Sequence, residues 1–223
     1  MTAVILPAVA SAVATAFAVR LGHQYAVRRR GHALAWCLSL AMYALASAAV
    51  AVGVAGAWGR AVFGVYWLAG ALLNVPLLAA GQLLLIDPRR ASLWWGLAAL
   101  LALAALGSVV IADFDTSALA EAAAAGAIPL GREVLDSSPA YALARPYSLT
   151  FVVVVVGSAW SALRTRRWGP LLIAAGVTVV AASSAAVRVG RGQLFSVLLA
   201  VGVITMYAGF RSSSRAAVPG GRS

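Results

Sequence analysis

The sequence predicts an all-α membrane bundle of seven transmembrane helices, with the N-terminus outside and the C-terminus in the cytoplasm. Three observations predict it. Apolar runs recur at 3–19, 33–57, 61–86, 92–112, 147–163, 168–187 and 193–210, each near the length a helix needs to cross hydrocarbon. All 17 basic residues are arginine, gathered mostly between the runs. Five of the six acidic residues fall in one connection, 113–146.

Composition removes the main alternatives. A chain of 223 residues fits one soluble domain on length alone, but 63% hydrophobic residues arranged in long runs do not. A charge of +11 would point to nucleic acid in a soluble protein. Here the arginines end the apolar runs, where they set topology and meet anionic lipid headgroups, so no nucleic-acid partner is expected. The single Cys37 excludes an intrachain disulfide and any multi-cysteine metal site, and reads as a small packed hydrophobe.

The first run differs from a signal peptide: Arg20, Arg28, Arg29 and Arg30 follow it instead of preceding it. Positive charge after a first span holds that end in the cytoplasm. In the second run Trp36, Ser39, Tyr43 and Ser47 form one helical stripe suited to helix–helix packing. Trp58 is expected at the membrane interface, and the short link around Gly59 makes the second and third helices antiparallel neighbours.

The third run carries the only Asn, Asn74, two residues before Pro76. A proline in mid-span frees the carbonyl of Leu72, which a neighbouring helix, side chain or water must then satisfy. Tyr66, Gly70, Asn74 and Gly81 share a stripe that should face protein and not lipid. Asp87 and Pro88 stop the helix, and Trp94 and Trp95 open the fourth run as interfacial residues.

The connection 113–146 is long enough to be functional or disordered. A short Ala-rich helix is expected over 117–125, capped by Thr116 or Ser117 and stopped by Gly126. Arg132 and Arg145 could pair with nearby carboxylates. The fifth run is short and β-branched, yet within a membrane it reads as helix. Residues 211–223 are polar and expected to be disordered.

Seven spans with the N-terminus outside put 12 arginines in the cytoplasm and five outside, as the positive-inside rule requires. Arg188 and Arg191 count against that assignment, and a six-span arrangement follows if the first run is cleaved. Arg28, Arg29, Arg30, Arg89, Arg90, Arg164, Arg166 and Arg167 are the topology arginines expected to touch lipid headgroups.

No ionisable residue lies well inside a run, although such residues are the usual functional pointers in membranes. Without lysine there is no retinal Schiff base, so no retinal is expected. His23 and His32 fall in the first link, and two loop histidines make no metal site. There is no Gly-x-Ser-x-Gly elbow. No catalytic residue, metal or cofactor is expected. Trp36, Tyr43, Tyr66, Asn74, Gln193, Ser196 and Tyr207 form a candidate intramembrane polar cluster, with ordinary bundle packing as the competing reading.

The segments FGVYWLAGALLNVPLLAAGQLLL and RRRGHALAWCLSLAMYALAS together resemble a group of seven-span integral membrane proteins of high-GC bacteria. The pattern is aromatic-x-x-Gly-Ala-x-Leu-Asn-x-Pro in the third span. Through Trp36, Tyr66, Gly70 and Pro76 they also distantly resemble the seven-helix N-terminal sensor region of membrane histidine kinases. No kinase or other output domain follows Phe210 in this sequence, so a sensor role implies a separate membrane or cytoplasmic protein partner. The expected function is a non-enzymatic receptor-like or accessory protein of the plasma membrane. The alternative is a small-molecule transporter or flippase component with a polar path around Asn74. A lipid-directed enzyme lacks any acid, base or nucleophile constellation.

Overall fold

The computed structural model describes residues 2–165 and isolated positions between 172 and 209. All regular structure among the described residues is helical. Eight α-helices follow in order: α1 Thr2–Arg28, α2 Gly31–Val52, α3 Arg60–Tyr66, α4 Asn74–Ile86, α5 Ala91–Val110, α6 Thr116–Ala125, α7 Gly131–Val134 and α8 Pro139–Thr165. Among the described residues, five continuous helical segments are long and apolar enough to cross a membrane: Ala3–Arg28, Gly31–Ala57, Arg60–Ile86, Pro88–Val110 and Pro139–Ser161. The sixth and seventh runs lie largely outside the described residues, as do Arg166, Arg167, Gln193, Ser196, Tyr207 and 211–223.

The first five runs are therefore helices, with two corrections to their limits. Helix α1 continues to Arg28, so Arg20 and His23 are helical and the link is only Arg29 and Arg30. The fifth helix starts at Pro139, not at 147, and passes through Pro146. Pro146, inside the helix, forfeits one backbone bond, and burial of Ala140 and Tyr147 against the bundle outweighs that break. Between α5 and α8 the chain forms α6 and α7.

Small residues let the helices approach. Ala10, Ala14, Phe17, Ala18 and Leu21 of α1 bury one face against Trp36, Leu40, Tyr43 and Ala44 of α2. Ser11 Oγ donates to the Ala44 carbonyl at 2.9 Å across that contact. Ala79 of α4 and Val154 of α8 complete the core. Helix α5 buries only the narrow stripe Ala98, Ala105 and Ser108. Its Leu93, Leu97, Leu100, Leu103, Leu106 and Val110 are exposed, a surface suited to acyl chains.

The alternating helices leave two unlike ends. The α1–α2 and α4–α5 links and the end of α8 meet at one end, which carries Arg28, Arg29, Arg30, Arg89, Arg90 and Arg164. The α2–α3 link, α6 and α7 cover the other. Asp113, Asp115, Glu121, Glu133 and Asp136 all lie on this cap and are exposed.

Candidate functional site

The sequence-predicted cluster is partly brought together in a polar seam between α2 and the α3–α4 segment. Pro76 offers no amide hydrogen, and the turn before it, Trp67–Leu73, is π-helical. The Asn74 amide accordingly bonds Ala69 O, five residues back. The Ser39 hydroxyl, 1% exposed, reaches across from α2 to Asn74 Oδ1 at 2.8 Å and to the Asn74 carbonyl at 2.9 Å. The neighbouring-helix partner expected for Leu72 is thus aimed at Asn74.

Along the same seam Gly70 meets Ala46, 3.1 Å from where its Cβ would lie, and Trp36 covers Gly81. A Cβ on Gly81 would overlap the indole. Trp36 Nε1 donates to the Leu78 carbonyl at 3.3 Å, and its ring meets His32 edge to face at 5.3 Å. Gly70, Asn74 and Gly81 therefore face protein. Tyr66 also faces protein, but it lies among Trp58 and Phe63 near the cap and outside the seam with α2.

Two polar atoms buried in the described structure, Tyr43 Oη and Gln82 Nε2, make no hydrogen bond of normal geometry among the described residues. Ser47 is the side chain that acts on the Tyr43 hydroxyl. Gln82 packs against Gly157 of α8. Sequence reading passed over Gln82 as a site residue, though a lone Gln in an apolar run was a visible signal.

The cap is built on aromatic side chains. Phe63 stacks on Trp67 with ring centroids 5.8 Å apart and meets Phe114 edge to face at 6.1 Å. Trp58, expected at the interface, is 6% exposed. It is buried because the cap folds over it: Trp58 Nε1 donates to the Ala127 carbonyl at 2.7 Å. Trp67 Nε1 donates to Ala140 O at 3.0 Å, and its ring covers Gly131. Leu119, Val134 and Leu135 fill the space between cap and bundle.

Helix α6 is capped by Asp115, one residue before the expected Thr116 or Ser117. Its carboxylate accepts from Ser117 N at 2.8 Å, Ala118 N at 3.1 Å and the Ser117 hydroxyl. The Ser117 hydroxyl, then the two amides, hold the Asp115 carboxyl below its ordinary range. Gly126 ends the helix at φ 59°, as anticipated. Arg132 pairs with Glu133 at 3.7 Å, a surface pair of little energetic weight.

At the arginine end a cleft of about 370 Å³ opens between the two links, lined by Arg29, Arg30, Gly31, His32, Leu84, Leu85, Pro88 and Ala91. Asp87 pairs with Arg90 at 3.7 Å. Trp94 Nε1 donates to the Asp87 carbonyl at 3.2 Å. Among the described residues no group of three His, Cys, Asp or Glu side chains stands close enough to hold a metal.

No protein-family model, no curated protein and no solved structure matches this chain.

Proposed function

We propose that this chain is a multi-pass protein of the cell membrane that works without catalysis, as a receptor-like or accessory seven-helix protein. The observation that carries the reading is the docked cap. An acidic, exposed surface is joined to the bundle by the indole-to-carbonyl bond from Trp58 to Ala127 and by the Trp67 ring, which covers Gly131 of α7. Such a surface suits recognition outside the membrane, while the seam below it is closed by packing. The N-terminus and cap lie outside in this reading, with the arginine end in the cytoplasm beside anionic lipid and a partner protein.

A transporter or flippase role is the second reading. Gln82 Nε2 favours it, because a buried polar atom without a hydrogen-bond partner among the described residues invites water or a polar cargo. Single cysteines in a Cys37→Ala background separate the two. Labelling by a membrane-impermeant thiol reagent is expected at Ala120→Cys and absent at Arg29→Cys. The opposite pattern overturns the orientation. Asn74→Cys is expected to stay unlabelled, and labelling there replaces the receptor-like reading with the transporter one. Mild-detergent purification that recovers no stoichiometric partner counts against the accessory role.

A further inference from the structure

We infer that the cleft between the α1–α2 and α4–α5 links is a binding site for the headgroup of an anionic glycerophospholipid. The first argument is charge. Arg28, Arg29, Arg30, Arg89 and Arg90 surround these two links, and the one carboxylate beside them, Asp87, is engaged by Arg90. All other acidic residues of the sequence lie between 113 and 136, in the cap region. The chain has no further Asp or Glu with which to neutralise this end, so the counter-anion comes from outside.

The second argument is shape. Arg29 and Arg30 line a hollow of about 370 Å³ whose other walls include Leu84, Leu85 and Ala91. Leu85 and Ile86 are 39% and 38% exposed at the end of α4, so the apolar wall continues onto the outer surface of a candidate span. A free phosphate has no use for that wall, whereas a lipid presents phosphate and acyl chain together. The side chains of Trp95 and Leu84 pack beside Gly31 at the start of α2.

The third argument is side-chain chemistry. Arg29 follows the end of α1 in the left-handed conformation that commonly stops a helix, and its guanidinium lies 5.7 Å from the Tyr25 ring centroid, beside the cleft it lines. Arginine, with its planar fork of donors, matches a phosphodiester.

The inference rests on the membrane reading but not on the receptor-like role, and lipid binding tests it independently of topology. The full chain, purified in maltoside, is mixed with phosphatidylglycerol or phosphatidylcholine, and bound lipid is read by native mass spectrometry. Phosphatidylglycerol is expected to be retained at least about tenfold better, the scale of two arginines at a membrane surface. Arg29→Gln/Arg30→Gln is expected to abolish that preference. Arg28→Gln/Arg89→Gln removes the same charge from the same end without touching the cleft lining, and is expected to keep most of it.

Equal retention of the two lipids by the unmutated chain overturns the proposal. So does equal loss in the two double variants, which means diffuse attraction only. Displacement of phosphatidylglycerol by millimolar inorganic phosphate also overturns it, since the site would then take the free anion. Should the Arg29/Arg30 variant fail to fold, the lipid comparison and the phosphate competition on the unmutated chain still decide.

Discussion

The indole of Trp36 lies directly over Gly81, occupying the space a Cβ there would need. This contact sets how closely α2 and α4 approach, and it aims Trp36 Nε1 at the Leu78 carbonyl. The cap repeats the arrangement, with Trp67 over Gly131 and Trp58 over Gly53. Each of the three indoles also donates to a backbone carbonyl, so a bulky side chain is buried without leaving its N–H unpaired.

Replacing Gly81 should therefore be costly. Gly81→Leu forces the indole out and is expected to destabilise by about 1–3 kcal/mol, read as a lower thermal midpoint in detergent. Trp36→Ala in the same chain should recover part of the loss. Simple addition of the two penalties would mean that the rings and the helix backbone are not in conflict as described.

The Ser39–Asn74 contact is expected to be energetically coupled. Interhelical polar bonds in membranes average about 0.6 kcal/mol and reach about 1.7. A double-mutant cycle of Ser39→Ala and Asn74→Ala should give a coupling in that range, because it isolates the hydroxyl's bond to Asn74 Oδ1, while the bond to the Asn74 carbonyl survives Asn74→Ala and stays outside the cycle. A coupling of zero would show that Pro76 and the π-helical turn hold the seam without it.

Trp58→Phe keeps a ring but deletes the bond to Ala127. The expected result is a local loss of about 1 kcal/mol. It should appear as faster amide exchange in α6 and the segment after it, with α1 and α2 unchanged. Uniform acceleration throughout the bundle would contradict a cap that opens by itself.

Acid should loosen the start of α6. Asp115 is held below the ordinary carboxyl range by the Ser117 hydroxyl and the Ala118 and Ser117 amides. A lowered folded value means that its contribution is fully present above the unfolded pKa of about 3.9 and is lost as pH falls through the folded value. Amide protection at Ser117 and Ala118 should therefore fall as pH drops below the ordinary carboxyl range, by more than the intrinsic exchange trend accounts for. Asp115→Asn should remove the pH dependence, and a variant that retains it would assign the effect to another group.

The helical class and the positions of the first five membrane-length helices were legible from the chain alone, because run length and charge placement are local properties. The stripe of Trp36, Ser39, Tyr43 and Ser47 was legible too, since helical spacing puts those residues on one face and all four are buried. The facing stripe of Gly70, Asn74 and Gly81 could be drawn, but its partners could not. Which side chain meets Asn74, and which ring covers Gly81, depends on the axial register of two helices joined through Trp58 and Gly59, and no local pattern encodes a register.

Tertiary structure alone decided the fate of Trp58 and Tyr66. Position marked Trp58 as interfacial, yet the 113–138 segment folds back over it and supplies a carbonyl. It also decided that α8 begins at Pro139: Ala140 and Tyr147 are buried against the bundle, and this packing outweighs the break that Pro146 proposes. Local sequence reports propensity and length. Where a long connection returns to bury aromatic surface, contacts between residues roughly 70 positions apart in sequence determine the outcome.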